Sequence, residues 1–179
     1  AEMLSHSPSL AGAFPDLKVS LKSGDLTARL AEAEPHDIVV MAYVLSELDE
    51  AAQAALLSQA WAKAKHGLLL LEPGTPETSR RVLQARTQLV RENGQIVAPC
   101  PQKGTCPAEN GSFWCHFSVR LERRGLHKQV KHADIGYEDE KYSWIFVSKD
   151  PNAPTPAPWR LHSNPHRNNR HIELDVCGV

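Results

Sequence analysis

Apolar residues in the first half of the chain cluster in two short, almost uninterrupted runs, at 38–43 and 67–71. Such runs are typical of buried strands, and we predict that the first is a central strand of a parallel sheet. Between them, alanine and leucine recur at helical spacing and predict a helix over 49–65. A second helix follows, with Thr75 as its cap and Pro76 at its first position. This alternation of strand and helix predicts an α/β fold with a parallel sheet.

Weaker patterns predict the remaining elements. Residues 17–21 alternate like a short strand, a short helix follows over 26–33, and 141–148 form a further strand. After an extended proline-rich linker, 160–162 and 171–176 are predicted as edge strands. We divide the chain into a partial α/β domain (1–96), a cysteine-rich insertion with a basic segment (97–132), a returning strand (133–150), and the linker with C-terminal strands (151–179).

The four cysteines are unevenly distributed along the chain. Cys100, Cys106 and Cys115 lie within sixteen residues, whereas Cys177 is third from the end. Soft thiolates select zinc, copper(I) or iron–sulfur clusters, and four of them suit tetrahedral zinc or a cubane cluster. Zinc knuckles usually place two cysteines two to four residues apart, a spacing that is absent here. Spacing alone leaves four readings open: an iron–sulfur cluster, zinc, a disulfide pair, or unrelated buried cysteines.

Charge is distributed as unevenly as the cysteines. Residues 1–60 carry nine acidic and three basic side chains, while the net charge of the whole chain is −1, so the rest of the chain is basic. Much of the basic excess follows the cysteines, and such a field suits a polyanion such as RNA. The candidate RNA-binding residues are Arg120, Arg123, Arg124, Lys128 and Arg170. A solvated basic face is an equally good explanation of the charges alone.

Composition excludes some classes of protein. The hydrophobic content of 41% is ordinary for a soluble protein, and no apolar run approaches the eighteen residues that a membrane span needs. No secretory signal or basic presequence is visible. We therefore predict no membrane partner.

Several segments resemble a known family. Residues 37–48 (DIVVMAYVLSEL) and 71–76 (LEPGTP) resemble the fourth and fifth strands of class I S-adenosylmethionine-dependent methyltransferases. Four more segments are similar to the methyltransferase-like family of mitochondrial small-ribosomal-subunit assembly factors and its bacterial relatives. They are APCP at 98–101, CP at 106–107, WCHFS at 114–118 and EDEKYS at 138–143. The resemblance covers nearly the whole chain, and its cysteine signature is specific.

This resemblance implies a cofactor, partners and a compartment. Cys100, Cys106, Cys115 and Cys177 match the four ligands of a [4Fe–4S] cluster in that family. The implied fold is an incomplete, Rossmann-like methyltransferase sheet with a cysteine-rich insertion and a C-terminal β extension. The implied partners are small-subunit rRNA and ribosomal proteins, in the mitochondrial matrix or, for a bacterial relative, in the cytoplasm. Both compartments are reducing, as thiolate ligation requires.

Methyl transfer is the alternative activity that the resemblance raises. The Gly-rich turn and the acidic residue that hold the cofactor in such folds are absent. We expect S-adenosylmethionine binding only if an N-terminal half precedes Ala1. What remains of a cofactor pocket is Gly24, Asp25 and Leu26, and a turn or cap role for Asp25 is at least as good. No catalytic residue is predicted, so we expect an rRNA-binding iron–sulfur protein that supports subunit assembly and translation, with an active rRNA methyltransferase as the alternative.

Overall fold

The computed structural model describes residues 16, 18–111, 113–123, 125–130, 135–162 and 165–178. The chain divides into two compact units, 1–34 and 35–179. In the first unit, helix α1 (Leu26–Glu32) begins after Asp25, whose side chain accepts a hydrogen bond from the Ala28 N–H. The predicted helix is therefore confirmed. Residues 18–21 form no strand, so the strand predicted there is wrong for these residues, while residue 17 lies outside the described ones. Alternation over a few residues does not form a strand without a pairing partner.

The second unit contains the predicted alternation of strands and helices. Its elements are β1 (His36–Ala42), α2 (Glu50–Lys63), β2 (Ala64–Pro73), α3 (Pro76–Arg91), β3 (Gln95–Ala98), β4 (Phe117–Glu122), α4 (Gly125–Val130) and β5 (Tyr137–Ser148). The two longer helices, α2 and α3, both begin at a side-chain cap, and the cap predicted for α3 is confirmed. Asp49 accepts from the N–H of Ala52 at the start of α2, and Thr75 forms a reciprocal capping pair with Thr78 at the start of α3.

The sheet is mixed rather than parallel. Its order is β1-β2-β5-β3, with β4 also paired to β5. Strands β1 and β2 are parallel, but β5 runs antiparallel to β2, β3 and β4. The predicted α/β class is confirmed and the predicted all-parallel sheet is wrong, because the returning strand β5 inserts between β2 and β3 with the opposite direction.

Strand β1 lies at the edge of the described sheet. It was predicted to be a central strand buried on both faces, and this is wrong for the described part of the chain. Ile38 and Val40 are 45% and 58% exposed, while Met41 is buried. An apolar run shows that a strand can be buried but does not specify a partner for both of its edges.

Strand β5 is longer than the predicted 141–148 because its acidic beginning also pairs. Residues 137–142 form a ladder with β4, in which Asp139 stands opposite Arg120. Tyr142 pairs with Pro73 of β2 and also with Phe117 of β4. Phe146 likewise has β2 on one side and β3 on the other. Strands β3 and β4 therefore occupy the same edge of β5, one after the other.

A loop leaves the sheet between these two strands. Strand β3 ends at Ala98, opposite Phe146, and β4 begins at Phe117, opposite Tyr142. Residues 99–116 therefore protrude from a short gap on one edge of β5. The predicted insertion (97–132) begins at the end of β3 and returns to the sheet as β4, and three of the four cysteines lie in the loop.

The core lies between the sheet and two helices. Helix α2 packs against β1 and β2, and α3 packs against β2 and β5. Leu68, Leu70, Ile145, Val147 and Leu89 are almost completely buried. No helix among the described residues is long and apolar enough to cross a membrane.

Two small ladders follow the linker 151–158, which has no regular secondary structure. Strand β6 (Trp159–Leu161) pairs with β9 (Val176–Gly178), and β7 (His166–Arg167) pairs with β8 (Ile172–Glu173). Both ladders are antiparallel. The two predicted edge strands are therefore present in outline, and the β7–β8 ladder lies nested between β6 and β9 around one turn.

One buried carboxylate fixes the turn after β1. Glu72, at the end of β2, is fully buried. Its Oε1 accepts hydrogen bonds from the main-chain N–H groups of Val44 (3.0 Å) and Leu45 (2.8 Å). The N–H of Tyr43, which has a positive φ of 57°, donates to the carbonyl of Leu71. The ends of β1 and β2 are thus joined by the Glu72 side chain as well as by main-chain hydrogen bonds.

We expect Glu72→Ala to lower the free energy of unfolding by about 2–4 kcal/mol, because two buried N–H groups lose their acceptor. Glu72→Gln retains a carbonyl oxygen and should cost about 1 kcal/mol. Chemical denaturation measures both changes. The control is Glu77→Ala, which removes an exposed carboxylate and should change stability by less than about 1 kcal/mol. An alanine variant at position 72 as stable as the parent would contradict this role.

Candidate metal centre

Three cysteines line one small cavity beside the gap in the edge of β5. Cys100, Cys106 and Cys115 face it, together with residues of α3 and the segment 143–145 of β5. Its volume is about 30 Å³, which is room for about one water-sized group. The cavity lies between a helix and a strand of the core, so rigid elements support it.

The third cysteine is fixed through its main chain. The hydroxyls of Ser79 and Ser143 both donate to the carbonyl of Cys115, at 2.9 and 2.6 Å. The indole N–H of Trp114 donates to the carbonyl of Gly74 at 3.0 Å. Helix α3, strand β5 and the turn before α3 therefore all hold this end of the loop.

The first two cysteines lie on a loop segment that an arginine organises. Arg86 of α3 is only 4% exposed. Its Nη2 donates to the carbonyls of Gln102 (3.0 Å) and Gly104 (2.7 Å), which lie between Cys100 and Cys106. Cys106 is extended, with φ −73° and ψ 130°, as predicted for a residue before proline.

The C-terminal strands bring the fourth cysteine towards the others. Cys177 of β9 stands opposite Arg160 of β6, and directly opposite residues of antiparallel strands project on the same face. The Nη2 of Arg160 donates to the Sγ of Cys115 at 3.0 Å. The guanidinium also lies 4.6 Å from the centre of the Phe117 ring. These contacts attach the tail to the end of the cysteine loop.

The thiols interact electrostatically with one another. The pKa of Cys100 is raised to about 11, chiefly by burial; Arg86 opposes the rise, and the neighbouring Cys115 and Cys106 contribute to it. Burial also raises the pKa of Cys115; Arg160 lowers it, and both Cys106 and Cys177 add to the rise. All four cysteines are free thiols. An anionic thiolate here therefore needs positive charge nearby.

Two histidines lie beside this group. Burial, Arg160 and His116 lower the pKa of His162, whose ring meets Phe113 edge to face with centroids 4.6 Å apart. The Nδ1 of His116 lies 3.2 Å from the carbonyl of Trp114. Among the described residues, no group of three or more His, Cys, Asp or Glu side chains is arranged to hold a metal ion as it stands.

The predicted cofactor residues belong to the first unit. The carboxylate of Asp25 caps α1, Gly24 has a φ of 138°, and Leu26 is exposed at the start of the helix. The cap role that the sequence allowed for Asp25 is thus observed. Its use in binding S-adenosylmethionine stays a prediction.

The predicted RNA-binding residues differ in their surroundings. Arg120 makes two hydrogen bonds to Asp139, at 2.7 and 2.8 Å. Arg123 is mostly buried and pairs with Glu138 at 3.3 Å. Lys128 lies on α4 and is half-buried, Arg170 is exposed in the turn between β7 and β8, and Arg124 lies outside the described residues. Among the residues that the structure describes, the acidic start of β5 therefore pairs with Arg120 and Arg123.

The polar residues that support the cysteines were not predicted from the sequence. Ser79 and Arg86 are seven residues apart on α3, on the side that also carries buried Val82 and Leu89. A serine and an arginine on an otherwise apolar helical stripe are an available signal, since buried charge is rare without a partner. No local signal distinguishes Arg160 from other basic residues of the tail.

Comparison with known proteins identifies the family. The model of the family described as mitochondrial small ribosomal subunit Rsm22 matches residues 1–179. A search of curated proteins finds no match. The family match covers every residue from the first strand of the sheet to the last cysteine, as the resemblance of the sequence implied. The chain therefore belongs to the mitochondrial small ribosomal subunit Rsm22 family.

Proposed function

We propose that this chain is an iron–sulfur protein of the mitochondrial small ribosomal subunit that binds rRNA and supports subunit assembly and translation. Cys100, Cys106, Cys115 and Cys177 hold one [4Fe–4S] cluster, and the α/β unit is a methyltransferase-like scaffold. The observation that carries the cluster is the grouping of the thiols. Three line one cavity, and the fourth lies close enough to Cys115 to raise its pKa.

The donor set suits a cluster better than a single zinc ion. Zinc bound at about 2.3 Å by four thiolates would hold the sulfurs only about 3.8 Å apart. In a cubane, each thiolate binds its own iron, so the sulfurs stand further apart. Here the ligands come from both ends of the loop 99–116 and from the distant tail, and no pair has the spacing of a zinc knuckle.

The chain supports the ligands from three sides. Ser79 and Ser143 hold the carbonyl of Cys115, and Arg86 holds the loop between the first two cysteines. A bound cluster supplies four iron–sulfur bonds, which would cross-link this loop to the C-terminal strands. Because the cavity is smaller than a cubane, the loop between Cys100 and Cys106 has to move outward for the cluster to enter. Arg86 holds that loop through two backbone carbonyls, and Pro101 within it is buried, so the movement costs these contacts.

The proposed partners follow from the family and from the basic residues. The family description names the mitochondrial small ribosomal subunit, and thiolate ligands suit the reducing matrix. We assign rRNA contacts to Arg120, Arg123, Arg124, Lys128 and Arg170. Because carboxylates already engage Arg120 and Arg123, these two must exchange an ion pair for a phosphate. Lys128 and Arg170 therefore contribute more to RNA affinity.

The first experiment counts metal in anaerobically purified protein. The parent should contain about four iron atoms per chain and absorb near roughly 400 nm. Cys177→Ser should lose most of this iron and absorbance, because the tail no longer supplies a thiolate. The matched control, Val176→Ser, places the same side chain on the exposed neighbouring residue and should retain the cluster. A colourless parent that contains zinc, or equal iron in the parent and Cys177→Ser, would overturn the proposal.

The second experiment measures RNA binding at several salt concentrations. Lys128→Glu and Arg170→Glu should each weaken binding to small-subunit rRNA several-fold and reduce the salt slope by about 1. Arg120→Glu should have a smaller effect, since its contact with Asp139 competes with RNA. Lys65→Glu, a charge reversal outside the proposed surface, controls for net charge. Equal affinities for all these variants and the parent would exclude an RNA surface at these residues.

A further inference from the structure

Two arginines lie beside the candidate cysteine ligands, and they come from different parts of the chain. Arg86 projects from α3 against Cys100, whose pKa it lowers both by its charge and through a side-chain hydrogen bond. Arg160 projects from β6 and donates to the Sγ of Cys115. Each guanidinium therefore serves one thiol of the cavity.

These arginines lack the anionic partner that buried arginines usually have. No carboxylate within salt-bridge distance of Arg86 or Arg160 is found among the described residues, although Arg29, Arg81, Arg120 and Arg123 all have one. The buried Nε of Arg86, and the buried Nε and Nη1 of Arg160, also have no hydrogen-bond acceptor among the residues that the structure describes. A buried guanidinium with unpaired N–H groups is costly, so its surroundings should include an anion.

We propose that Arg86 and Arg160 are the counter-charges of the metal centre, and that each positions the cysteine beside it. This inference rests on the proposed function. A [4Fe–4S]²⁺ core with four thiolates has a net charge of −2, and two guanidinium groups balance it. The unpaired N–H groups are donors for thiolate and sulfide sulfur, as supporting residues around metal sites commonly are.

Arg160 brings its positive charge to the site together with Cys177, the fourth cysteine ligand. It stands directly opposite Cys177 in the β6–β9 ladder, so one cross-strand pair contains both a ligand and its counter-charge. When the tail docks, it brings a thiolate and a positive charge together. Docking therefore adds no net charge to the buried site.

The same charges favour the reduced cluster. One-electron reduction of the [4Fe–4S]²⁺ core changes the net charge of the centre from −2 to −3, and a nearby cation stabilises the added charge. Loss of either arginine should therefore make the reduction potential more negative. A merely structural role would not shift the potential in this way.

The test compares the full chain with Arg160→Gln, Arg160→Lys and Arg86→Gln, each reconstituted anaerobically. Arg160→Gln should release iron to a chelator about tenfold faster or more and have a more negative potential in a redox titration followed by absorbance. Arg160→Lys should restore the potential because it restores the charge. Arg167→Gln, on the exposed strand β7, is the matched control and should leave both quantities unchanged.

The outcomes separate this inference from the proposed function. A parent that binds iron, together with an Arg160→Gln variant that has the parent's potential and iron release, overturns the inference alone. A parent that binds zinc instead overturns the proposed cluster. The same variants are then compared for zinc affinity, and equal affinities would overturn the inference too. If circular dichroism shows that Arg86→Gln does not fold, the Arg160 variants decide the result.

Discussion

Main-chain pairing along β5 determines where the cysteines can meet. One edge of this strand is covered by β2, and the other is covered by β4 at its beginning and β3 at its end. The chain between β3 and β4 must leave the sheet and return a few residues away, so both ends of the loop are close together. Cys100 and Cys115 lie near these two ends, and Ser143 lies in the gap between them. The site is therefore a consequence of strand order.

Charge is the second constraint, and it explains why polar residues accompany the thiols. Burial alone disfavours a thiolate at Cys100 and Cys115, as their raised pKa values show. Arg86 and Arg160 oppose this effect at one thiol each. Buried thiols that stay protonated are neutral and need no positive charge beside them, whereas buried thiolates do. The position of the two arginines beside the thiols is therefore the arrangement expected of a site that becomes anionic.

Local features of the fold could be read from the sequence, whereas pairing could not. Thr75 was identifiable as a cap because a cap needs only its own helix. The exposure of Val40 and the antiparallel direction of β5 depend on partners far away in the chain, which periodicity does not report. The cysteines were singled out by residue type, whereas the contacts of Arg86 depend on the placement of α3 against the loop.

The weakest part of the structure is also the part that joins the proposed site to the proposed partner. Two-stranded ladders are marginal by themselves, and in the tail Trp159 is 63% exposed and Val176 50% exposed. Contacts such as Arg160 with Cys115 fix this segment, and Arg170 lies on its exposed turn. In the proposed function, ligation of Cys177 adds a covalent anchor. The supply of iron would then decide whether the basic turn is held in place for RNA. A tail that is not docked would become ordered only when RNA binds, and the entropy cost of that ordering would weaken the RNA affinity.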